Sequence, residues 1–100
     1  MIRAYFERTE DACRLSLRGH ATGDPAVCAA ASALVFALAG YVRDRGAGEI
    51  ELDSGRARVD CGRDAGTDGA FAAVLSGLEQ LQRRYPQMVE VSYGGRAEGI

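Results

Sequence analysis

The chain has 100 residues, 47% hydrophobic and 26% charged, the make-up of one globular domain spanning residues 1–100 with a small core. Its net charge is −2, and its twelve basic residues are all arginines scattered among acids. No basic patch is visible, which disfavours direct nucleic-acid binding.

Ile2, Ala4 and Phe6 alternate with Arg3, Tyr5 and Glu7, predicting a strand over 2–7. Thr9-Glu10-Asp11 reads as a turn. Cys13, Leu15 and Leu17 then alternate with Arg14, Ser16 and Arg18, predicting a hairpin partner over 12–19. Residues 20–24 form a loop. Asp24-Pro25 is a helix start, because Asp accepts free amide hydrogens and Pro fits the first helical position. The helix runs to about Arg43, with Val27, Ala31, Leu34, Leu38 and Tyr41 facing the core and Gly46 as its C-terminal cap. A second hairpin follows, Ile50 and Leu52 on one strand and Ala57, Val59 and Cys61 on the other, with facing acids and arginines suited to cross-strand pairing. Thr67 or Asp68 caps a second helix whose stripe is Phe71, Val74, Leu75, Leu78 and Leu81, stopped by Tyr85-Pro86. Val89, Val91 and Tyr93 make a last strand, and Gly94–Ile100 reads as a loose tail. The order is β-β-α-β-β-α-β, an α+β fold with one mixed or antiparallel sheet packed with two helices.

Three widely spaced cysteines and one histidine argue against a zinc site and against a disulfide framework. No metal or cofactor is implied. The charged, alternating start does not read as a signal peptide, and the apolar run Ala26–Gly40 is short for a membrane span. A reduced, cytoplasmic setting is the expectation.

Two residues carry chemistry. His20, the lone histidine, falls where a strand pattern ends, and Cys28 falls in the first turn of the helix. Helix-start amides favour a thiolate and offer donors to an oxyanion on a substrate carbonyl. An imidazole in reach accepts the thiol proton and returns it to a leaving amine. Gly19 permits close backbone approach beside His20. Asp24 either caps the helix or orients His20. Ser32 shares the Cys28 face one turn on. Pattern alone leaves a second reading for the pair: free cysteine packs well as a small hydrophobe, and a histidine at a strand end is commonly a surface or capping residue. Cys13 and Cys61 occupy inward strand positions and are assigned to the core.

Gly19-His20-Ala21, followed by Val27-Cys28-Ala29-Ala30-Ala31-Ser32-Ala33-Leu34, resembles the ribosomal-processing cysteine protease family, Prp, over almost the whole chain. The resemblance implies a homodimeric cytoplasmic endopeptidase. Its substrate is a ribosomal protein precursor of the large subunit, from which it removes a short N-terminal extension, cutting after paired aromatic residues. It implies Cys28 as nucleophile, His20 as general base and Ser32 as the matching helix serine. Charge and the length of the apolar run, as above, argue against nucleic acid and membrane as partners. The stretch between His20 and Cys28 is shorter than the family's, and Pro25 stands where many members carry an acid. A non-catalytic, ribosome-associated binding module of the same fold is the alternative. A redox thiol is a third reading, for which no resolving cysteine lies nearby in the sequence.

Overall fold

A computed structural model describes residues 1–46 and 48–94. β1 (Ile2–Arg8) and β2 (Ala12–Arg18) form the first hairpin. The Thr9 hydroxyl shapes its turn by accepting the amide hydrogens of Asp11 (3.2 Å) and Ala12 (3.1 Å). α1 (Pro25–Arg45) follows, then the hairpin of β3 (Gly48–Asp53) and β4 (Arg56–Gly62), then α2 (Ala65–Arg84) and β5 (Val89–Gly94). The strands lie in the order β3-β4-β2-β1-β5, antiparallel except for the parallel pair β1 and β5. The predicted α+β order and its mixed sheet are thus both present.

Period-two patterning decides which face of the sheet is covered. Ile2, Ala4 and Phe6 of β1 and Cys13, Leu15 and Leu17 of β2 are buried, while Arg3, Tyr5, Arg14 and Arg18 are exposed. The helices close the apolar face with Val27, Leu38 and Val42 of α1 and Phe71 and Leu78 of α2. Burying each such large side chain contributes about 2 kcal/mol.

Several details depart from expectation. The buried stripe of α1 is Val27, Ala31, Val35, Leu38, Ala39 and Val42, with Leu34 and Tyr41 only partly buried. The reason is a second neighbour: Leu34 packs against Gly77 of α2, and the Tyr41 hydroxyl lies against Gly66. α2 starts earlier than predicted, because the Asp64 carboxylate accepts the Thr67 amide hydrogen at 2.7 Å. Thr67 is instead fully buried beside the Cys61 sulfur, and Asp68 holds Arg63 at 2.8 Å. Of the cross-strand pairs expected in the second hairpin, Glu51 and Arg58 do pair, at 3.7 Å. Glu49 instead faces Asp60, whose charge is met by Arg14 at 2.7 Å and Arg58 at 3.4 Å. α1 extends well beyond the run Ala26–Gly40 and, by length and composition, is apolar enough to cross a membrane. Here its buried stripe belongs to the core. Gly94 ends β5, and the rest of the predicted loose tail, residues 95–100, lies outside the described residues.

Cys13 and Cys61 face each other across β2 and β4, and both are buried, as read. Burial, aided by the Asp68 charge and hydrogen bond, pushes the Cys13 thiol up to about 11 from 9.0. The unfolded chain therefore loses this proton first. The contribution to stability is whole below about pH 9 and falls as pH rises toward 11, by about 2 kcal/mol. Thermal melts at about pH 8 and about pH 10.5 should show a smaller alkaline loss for Cys13→Ala than for the parent chain. Equal losses would remove Cys13 as a source.

Candidate active site

Three segments distant in sequence meet where β2 leaves the sheet. Gly19 turns the chain out with φ +94°. Glycine is required there twice over, since a Cβ would also stand 2.2 Å from the Met1 carbonyl oxygen. The Gly19 amide donates to the Gly55 carbonyl at 2.9 Å, and the Met1 nitrogen donates to the His20 carbonyl at 2.7 Å. These bonds fix the His20 main chain while the residue stays exposed.

The short connection to α1 is a closed β-turn. The Asp24 amide donates to the Ala21 carbonyl at 3.1 Å, and Gly23, third in the turn, has φ +86°, the sign that a type II turn needs at that position. Asp24 then caps α1, its carboxylate accepting the amide hydrogens of Ala26 (3.1 Å) and Val27 (3.3 Å). Of its two predicted roles, Asp24 fills the capping one.

That cap corrects the expected oxyanion donors. Pro25 has no amide hydrogen, those of Ala26 and Val27 go to Asp24 Oδ1, and that of Cys28 goes to the Asp24 carbonyl at 3.4 Å. Asp24, one residue before the helix, thus satisfies these donors through its carboxylate and its carbonyl before any ligand arrives.

Cys28 is half-buried, the most accessible of the three thiols. Its Sγ accepts the Ala21 amide hydrogen at 3.2 Å and lies 3.8 Å from the Ala21 carbonyl oxygen. Among the described residues, these main-chain groups of the residue after His20 are its hydrogen-bond partners; the imidazole is not one of them. The ring lies instead against Gly55, where a Cβ would come within 2.6 Å of Nε2. Both side chains nonetheless border one cavity of about 130 Å³. Cys28, Ser32 and Phe36, four residues apart, line its α1 wall. His20 and Gly19 enter from β2, and Leu52, Asp53 and Gly55 from the second hairpin.

The structure thus brings Gly19, His20, Cys28 and Ser32 to one place and keeps Asp24 behind, at the helix start. Sequence reasoning missed Phe36 and the hairpin residues. Phe36, 59% exposed, had a signal in its spacing from Ser32. The hairpin residues had none, because they arrive through the pairing of β4 with β2.

A thiol in the first turn of a helix, opening on a cavity that an imidazole also borders, is the equipment of a cysteine peptidase. The chain belongs to the cysteine protease Prp family, whose model matches residues 1–90. It is therefore a cysteine protease by family. Solved structures share the fold. The essential ribosomal processing protease Prp from S. aureus, with a covalently linked product peptide, has a TM-score of 0.78 at 20% identity, over 94% of this chain and 100% of that one. The same protease with a substrate peptide has a TM-score of 0.75 at 21% identity and the same coverage. SMU.848 from Streptococcus mutans has a TM-score of 0.75 at 23% identity, over 96% of each chain. Curated proteins give no match.

Proposed function

We propose that Cys28 and His20 form the catalytic dyad of an endopeptidase that removes the N-terminal extension of a large-subunit ribosomal protein. The setting is the cytoplasm and the acting form a homodimer. The observation that supports this reading is the shared cavity, which both the accessible thiol and the only histidine border. His20 takes the Cys28 proton, and Sγ attacks the scissile carbonyl carbon. The C–N bond breaks as the imidazolium protonates the leaving amine, and water then hydrolyses the thioester. Phe36 and Leu52 give the cavity an apolar wall for a substrate side chain. The exposed apolar residues Ala29, Ala33, Phe36 and Ala37 along α1 supply a surface for a second copy. Support for the substrate comes from the similar S. aureus fold, that of a ribosomal processing protease bound to a substrate peptide.

One observation favours the alternative of a binding module: the thiol's partner is a main-chain amide rather than the imidazole. A synthetic peptide spanning the N-terminal extension of the host's own ribosomal protein separates the two. A single cut placed by mass spectrometry supports the peptidase. Capture of the intact peptide without a cut supports the module.

A further inference from the structure

The arginines that look scattered in sequence are gathered by strand register. Arg3 of β1 stands opposite Arg18 of β2, and Arg18 stands opposite Arg56 of β4. The three form one row across the open face of the sheet. Like charges placed directly opposite one another cost stability, so this row is not there to hold the strands together. Arg3 is paired with Glu90 at 3.2 Å. Among the described residues Arg18 and Arg56 make no ion pair, although Asp53 is the register partner of Arg56. In the neighbouring row Arg58 is held by Glu51 and Asp60. Two uncommitted guanidinium groups are thus left side by side.

Their position joins them to the cleft. Arg56 borders the Cys28 cavity and also an adjoining groove on the open face. Arg18 lines that groove and a further one reaching Tyr5 and Ser92. A chain leaving the cleft past Arg56 crosses both guanidinium forks, which match carboxylates in planar, bidentate geometry.

We propose that Arg18 and Arg56 are a carboxylate-binding subsite for an acidic segment of the polypeptide substrate, next to the cleft. The inference rests on the peptidase reading above. The row is bounded by Glu90 and Asp53 and followed by Glu51, so it offers two cations rather than the extended basic track that a phosphate backbone requires. A polypeptide with one or two carboxylates fits; a nucleic acid does not.

The test is binding, read by fluorescence anisotropy in a Cys28→Ala background so that no probe is cut. The probes are a labelled peptide with an apolar half followed by a Glu-rich half, its Gln-for-Glu counterpart, and a labelled oligoribonucleotide. The Glu peptide should bind about fivefold tighter than the Gln peptide, an advantage that shrinks with salt. Arg18→Gln with Arg56→Gln should erase the advantage, whereas Arg83→Gln on α2 should keep it. Melting temperature should not fall in the double variant, since a like-charge contact is removed. Equal binding of the two peptides, tighter binding of the oligoribonucleotide, or a lowered melting temperature would each overturn the proposal. Cleavage by the parent chain is scored separately, so a failed peptidase reading is told apart from a failed subsite.

Discussion

Cys28→Ala is expected to lower peptide cleavage by roughly 10³-fold or more, to the limit of detection. Without sulfur no acyl bond forms, and no other thiol substitutes, because Cys13 and Cys61 are buried among core residues. The variant should still fold. What it loses is the hydrogen bond that Sγ accepts from Ala21, worth about 1 kcal/mol. His20→Gln keeps a polar side chain of similar reach but removes the proton carrier of the proposed dyad, so a loss of about 10²–10⁴-fold is expected. If the two act as one unit, the double variant is no worse than Cys28→Ala alone. Independent, multiplying losses would break the dyad. The measurement is initial rate on a fluorogenic peptide, with a thermal melt of each variant beside it.

Gly55→Ala is expected to disable the site from outside it. A Cβ there would sit 2.6 Å from His20 Nε2 and 3.2 Å from Cε1, so the ring has to move. Misplacing a catalytic group on this scale costs about 10²-fold in kcat/KM. Gly55 also has φ +72°, which penalises any side chain. Gly46→Ala separates the two causes, because Gly46 has φ +66° with nothing within 4 Å of its Cβ position. Both variants should lose similar stability, about 1–2 kcal/mol, and only Gly55→Ala should lose activity. The single histidine gives one set of imidazole proton resonances, so displacement of the ring is read directly by NMR. A Gly55→Ala enzyme with parental kcat/KM and unshifted resonances would show that this contact does not position the ring.

The elements were readable because each is specified locally. Strand alternation in Ile2–Arg8 and Ala12–Arg18 and the Asp24-Pro25 helix start need nothing beyond their neighbours. The α2 start was misplaced for a physical reason: Asp64, Thr67 and Asp68 are all competent caps, and only burial of Thr67 against Cys61 selects Asp64. His20 and Cys28 were legible as candidates because residue type and position spoke together. Their surroundings were not. Gly55, Leu52 and Arg56 come to the cleft through β2–β4 register, and the arginine row appears only once three strands are aligned.

The pairing of β4 with β2 also sets when the candidate site is completed. His20 and Cys28 emerge early and close together, but the ring's seat on Gly55 and the bond from Gly19 to Gly55 come from the later hairpin. Contacts so far apart in sequence form late in folding. A nascent chain that has reached α1 therefore carries the thiol and the imidazole without that mount, and on the dyad reading proposed above completion of the sheet does for this protein what removal of a propeptide does for a zymogen.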